Sequence, residues 1–144
     1  MLRKIQIDKP GGYDALKLVE QAMPIPADDQ VLIAVRACGV NYADGIIRMG
    51  LYASAKELHG YPITPGFELA GVVLQVGSAV TAYSPGDEVV ALTLFGGYCS
   101  HIALPENRVF RKPSKLSFAQ AAALPTVFLT AWFMVHQQVH PRGG

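Results

Sequence analysis

Charge is scarce in this chain. Asp, Glu, Lys and Arg make up 16% of it, the net charge is +1, and no basic run exceeds two residues. So neutral a surface offers little to a phosphate backbone or an anionic bilayer, so nucleic acid and charged membranes are poor partners. Cysteine is scarce too. Cys38 and Cys99 share no metal-ligand spacing. The histidines His59, His101, His136 and His140 form no ligand set either, because the i, i+4 pair His136 and His140 lacks a third donor. No secretory signal opens the chain, so reduced thiols and a cytoplasmic setting are expected. Internal repeats and low-complexity tracts are absent.

Long apolar runs are nearly absent. One stretch, Phe118 to Val135, is close to a bilayer span in length, but it contains Gln120, Pro125, Thr126 and Thr130 and much alanine. A buried helix pair is expected there rather than a membrane span.

What is present suits a globular domain. The chain has 144 residues and is 51% apolar, enough to bury roughly two-thirds of its surface on folding. Arg3–Asp8 and Leu16–Gln21 read as two antiparallel strands around Pro10-Gly11-Gly12. Val31–Val40 is rich in β-branched residues, with Val31, Ile33 and Val35 on one face. Gly39 suits a tight turn after it. Asn41–Met49 reads as a short helix with Asn41 as cap, Asp44 completing a capping box, and Gly50 at its end. Leu51–Gly60 reads as a polar loop.

Thr64-Pro65-Gly66-Phe67-Glu68 then brings an acidic residue into an apolar strand, Leu69–Val76. An acid between Phe67 and Leu69 calls for a buried partner, and a structural role is favoured for Glu68. Ser84-Pro85-Gly86-Asp87 is a type II turn signal. Glu88–Leu94 is the next strand, and Gly96-Gly97 turns it back into Tyr98–Leu104. Val109–Arg111 adds an edge strand. Many short strands at close spacing argue for a barrel or sandwich. Ser117 caps a helix over 118–124, and Pro125 opens a second one, apolar nearly all round.

Several pieces together resemble the N-terminal, GroES-like catalytic domain of the medium-chain dehydrogenase/reductase family, in its zinc-free quinone oxidoreductase branch. They are Gly11-Gly12-Tyr13, Cys38-Gly39-Val40-Asn41-Tyr42-Ala43-Asp44, Gly50-Leu51-Tyr52, Pro65-Gly66-Phe67-Glu68, Pro85-Gly86-Asp87-Glu88-Val89, Gly97-Tyr98 and Ala121-Ala122-Ala123-Leu124-Pro125. The resemblance implies a mainly β fold with some α, a partly open GroES-like barrel followed by C-terminal helices. It divides the chain into a catalytic domain over 1–124 and, over 125–144, the first helix of a nucleotide-binding domain. The rest of that Rossmann domain, with its glycine-rich phosphate loop, is missing from the sequence, which therefore reads as truncated.

Zinc-dependent members carry a cysteine where Asn41 stands and a histidine where Phe67 stands. Their four-cysteine lobe has no counterpart between Ala91 and Tyr98. No zinc is therefore expected. The resemblance implies hydride transfer from NADPH to a quinone or enone. Asn41, Asp44 and Tyr52 would be catalytic, and Asn41, Tyr42, Tyr52 and Thr130 would contact the cofactor. Each has a plainer reading: Asn41 and Asp44 as a helix cap, Tyr52 as a half-buried tyrosine, Tyr42 as a packing residue. Cys38 is expected as a small core residue. The isolated chain is expected to be inactive. An alternative is an interaction module that self-associates into a homo-oligomer through its apolar helix.

Overall fold

β-branched residues pack well on a pleated surface, and the strands form where the sequence is richest in them. The computed structural model describes residues 1–139. β1 (Leu2–Gln6) and β2 (Lys17–Gln21) pair antiparallel as a small sheet. β3 (Gln30–Cys38), β4 (Glu68–Val76), β5 (Glu88–Leu92), β6 (His101–Pro105) and β7 (Val109–Arg111) form a second sheet. Its spatial order is β6-β3-β4-β5-β7, and every pairing is antiparallel. Val31, Ile33, Leu69, Val73, Val89, Ala91, Leu104 and Val109 make its core. Burying each branched side chain contributes roughly 1.5–3 kcal/mol relative to leaving it in water. Neither sheet closes on itself, so the architecture is two open sheets rather than a closed barrel.

Four helices complete the described fold: α1 (Tyr42–Arg48), α2 (Ala53–Leu58), α3 (Phe118–Ala122) and α4 (Pro125–Phe133). α4 runs on into a π-helical turn, Met134–Val139. Ser117 caps α3 through a capping box with Gln120. Ala121 and Ala122 pack there against Ala70 of β4.

The structure corrects five expectations. The polar stretch after Leu51 is not all loop. Ala53, Ala55, Lys56, Glu57 and Leu58 are good helix formers, and the buried Ala55 anchors α2. β6 does not fold back on β5; it lies on the far edge beside β3. The crossing segment is drawn over by other backbones: Gly97 N–H donates to Gly66 O, Tyr98 N–H to Pro65 O, and Ser100 N–H to Arg3 O. Cys38 is exposed, not a core residue, because it closes β3 beyond the buried Val31–Ile33 segment. Tyr42 does not pack; it is 87% exposed on the first turn of α1.

The fifth correction concerns the helix pair. Phe118–Val139 is long and apolar enough to cross a membrane by length and composition, but only 11% of its most apolar window is buried. The expected burial holds for α3 and fails for α4, which has no buried residue. His140 and the Pro141-Arg142-Gly143-Gly144 end, just beyond which the resemblance places the first strand of a cofactor domain, lie outside the described residues.

Candidate functional site

The site grows from the junction between β3, α1 and the start of β4. A bulge between Val35 and Ala37 shifts the register of β3 against β4 just before this junction. Bulges of this kind re-aim the chain locally. Gly39 follows. Its backbone is not in a left-handed turn; it is flat against Glu68, whose Oε1 would lie 2.1 Å from a Cβ placed at residue 39. Glycine is needed here for close approach, not for turning.

Two buried carboxylates organise what surrounds it. Asp44 is 6% exposed and Glu68 is 1% exposed. Asp44 accepts three hydrogen bonds from three segments: Asn41 N–H at 2.8 Å, Gly66 N–H at 3.0 Å and the Tyr98 hydroxyl at 2.8 Å. Gly66 adopts φ 102°, a left-handed conformation that glycine takes without strain. Glu68 accepts two: Asn41 Nδ2 at 2.9 Å and the backbone N–H of Thr126 at 2.7 Å. Thr126 lies in the first turn of α4, so Glu68 also places negative charge at that helix's positive end. Neither carboxylate forms an ion pair among the described residues. Both are held by polar N–H and O–H groups alone.

Their charge is felt nearby. Burial, and then the Asp44 carboxylate that accepts its proton, holds the Tyr98 hydroxyl well above the usual tyrosine range. Burial, and then Asp44, likewise pushes the Cys38 thiol up.

The Phe67 ring turns away from Asn41's partners into an aromatic cluster. Tyr52 meets it edge-on at 6.1 Å and Phe95 at 6.0 Å, with Ile7, Ile47 and Ile63 behind. Among the described residues no three His, Cys, Asp or Glu side chains converge. Asn41 offers an amide whose Nδ2 donates to Glu68, and Phe67 has no donor atom, so this pair lacks the thiolate and imidazole that a zinc ion takes.

Of the residues singled out from sequence, Asn41 and Asp44 are joined directly, whereas Tyr52 belongs to the aromatic cluster, edge-on to Phe67. Thr130 is exposed on α4, one turn beyond Thr126, and Tyr42 stands outside the network. Sequence reasoning left Thr126 and the hydroxyl of Tyr98 without roles. Thr126 had a signal: it follows Pro125 at a helix start, where a free N–H invites an acceptor. Its own Oγ1 is buried without a hydrogen-bond partner.

Residues 27–129 match the family described as the alcohol dehydrogenase GroES-like domain. The chain is 37% identical over 146 residues to a quinone oxidoreductase of Pongo abelii, covering all of this chain and 44% of that protein. It superposes on the crystal structure of the human synaptic vesicle membrane protein VAT-1 homolog-like protein with a TM-score of 0.91 at 34% identity, over 99% of this chain and 45% of that one. Escherichia coli quinone oxidoreductase, solved in complex with NADPH, gives 0.85 at 32% identity, over 94% and 40%. The chain thus spans less than half the length of these relatives. A GroES-like fold built around the Asn41–Glu68 junction, together with the match over residues 27–129, means that the chain belongs to the alcohol dehydrogenase GroES-like domain family, in which it resembles quinone oxidoreductases of the medium-chain dehydrogenase/reductases.

Proposed function

We propose that this chain is the substrate-facing part of a zinc-independent, NADPH-dependent quinone or enone reductase of the cytoplasm. The observation that carries the reading is the Glu68 bridge, which ties Asn41 to the first turn of α4 where a metal site would otherwise stand. The unpartnered Thr126 Oγ1 beside that bridge fits the amide-rich nicotinamide end of the cofactor. NADPH supplies a hydride when bound. Asn41 and Thr126 hold its carboxamide, and Tyr42, Tyr52 and Thr130 extend the same surface. The Tyr52 hydroxyl donates to the acceptor's carbonyl oxygen, the task a metal performs elsewhere. Asp44 fixes the loop that carries Asn41.

In this reading residues 1–124 are the catalytic domain and 125–144 begin the cofactor domain. The described residues carry no glycine-rich strand-loop-helix for the phosphates. The isolated chain should therefore bind NADPH weakly and oxidise it with 1,4-benzoquinone only at background rate. Amide shifts on NADPH titration should centre on Asn41, Thr126 and Thr130. Shifts elsewhere would reject the site, and micromolar affinity would reject the domain division.

A second reading rests on α4. Phe128, Leu129, Trp132, Phe133 and Met134 are each at least half exposed. An apolar face of that kind marks an interaction surface, and a second copy of the chain supplies a matching face. Light scattering should show dimers or larger species, and Phe128→Asp with Trp132→Asp should return them to monomers. A wild-type monomer at high concentration would end this reading.

A further inference from the structure

A cavity of about 610 Å³ opens beside the small sheet, where Leu2, Lys4, Gln6 and Gln21 line it. Its volume is within the range of small-molecule sites. Phe95 forms part of its wall, while Asn41, Asp44, Tyr52 and Glu68 do not line it. Its charge is one-sided. Lys4, His59, His101 and Arg108 line it, and no aspartate or glutamate does.

The two permanent cations are also uncommitted. Lys17, Arg111 and Lys112 each form an ion pair, with Asp8, Asp87 and Glu88 respectively. Among the described residues, Lys4 and Arg108 form none. His59 donates through Nδ1 to Gly60 O at 2.9 Å. Thr64 adds a polar group. It is 9% exposed and lines the cavity, and its Oγ1 has no hydrogen-bond partner. A buried hydroxyl without a partner carries a desolvation penalty that a bound acceptor relieves. Leu58, Leu94, Phe95 and Ile102 supply apolar wall.

The geometry points to a binding site for a small organic oxyanion: an apolar or aromatic body against Leu58, Leu94 and Phe95, with its charged head between Lys4 and Arg108. This site shares Phe95 with the aromatic cluster around Tyr52 but takes none of the proposed redox residues, and its test does not depend on them.

Calorimetry of the full chain with 2-naphthyl phosphate, 2-naphthoate and neutral 2-naphthol tests the assignment. The two anions should bind saturably at one site, the phosphate more tightly if a dianionic head is preferred and the carboxylate equally well if one charge suffices. Lys4→Gln with Arg108→Gln should weaken anion binding at least tenfold and leave naphthol binding unchanged. Arg111→Gln, removing a cation outside the cavity, should leave anion binding unchanged, and circular dichroism should show every variant folded. Three results would overturn the site: no saturable anion binding, equal affinity in the double variant, or an equal loss in Arg111→Gln.

Discussion

Asp44 and Glu68 are both buried carboxylates without a cation, yet they hold different things. Asp44 gathers Asn41, Gly66 and Tyr98, three segments that already belong to the packed body of the domain. Behind them sits the cluster of Ile7, Ile47, Ala55 and Ile63. Glu68 gathers Asn41 and Thr126, and Thr126 belongs to a helix with no fully buried residue. The same device thus ties the packed body together in one place and holds a peripheral helix in the other. Losing Asp44 orphans three buried donors and strains the whole body. Losing Glu68 removes the polar tether of α4, leaving the short connection from α3 and the apolar contacts near its start.

The largest effect should come from Asp44. Asp44→Ala orphans three donors in a buried setting, which costs about 4 kcal/mol by analogy with other severed buried networks. Urea unfolding should show this as a lower midpoint with an unchanged slope, since the core remains the same. A loss below about 1 kcal/mol would mean that the loops hold themselves and that the carboxylate is incidental.

Glu68→Gln sharpens the contrast. It preserves shape and one acceptor, so its global cost should be smaller, about 2 kcal/mol. Its local signature should be distinct. Amide hydrogen exchange over 126–130 should speed up strongly, while Val31, Val73 and Val89 stay protected. Equal loss of protection in both places would show that α4 and the sheet unfold as one unit, which would erase the comparison.

Much of the frame was legible in the residues. Val31, Ile33 and Val35 announced β3 through β-branching and alternation, and Ser117 with Gln120 announced α3 through a capping box. Asn41 and Asp44 were legible as a cap. What stayed hidden depends on distant partners. The path of β6 is set by backbone bonds to Arg3, Pro65 and Gly66, which no local pattern encodes. Gly39 looked like a turn glycine; its need comes from Glu68, 29 positions away in sequence terms and in contact only after folding. Ala53–Leu58 was misread because polarity was weighed above helix propensity. Cys38 was misread because residue type stands in poorly for position at a strand end.

The smallest effect tests Asp44 from the other side of one bond. Tyr98→Phe keeps the ring and removes only the hydroxyl that donates to Asp44 at 2.8 Å, so it should cost about 1 kcal/mol near neutral pH. It carries a pH signature as well. Tyrosine's ordinary value is 10.0, and in the folded chain Tyr98 is raised above it, by burial first and by the Asp44 bond second. A raised acid keeps its proton in the folded state where the unfolded chain loses it. The stability it lends is therefore complete below pH 10 and falls as pH rises beyond it. Cys99 behaves similarly, pushed from 9.0 up to about 12 chiefly by burial, and burial also raises Cys38, Tyr61 and Tyr83, so the wild-type slope alone mixes several groups. The difference between Tyr98→Phe and wild type cancels the others. If Asp44 holds Tyr98 as the distances indicate, the two stability curves should converge above pH 10. Parallel curves would mean that the hydroxyl ionises equally freely in both states and that the bond to Asp44 does little.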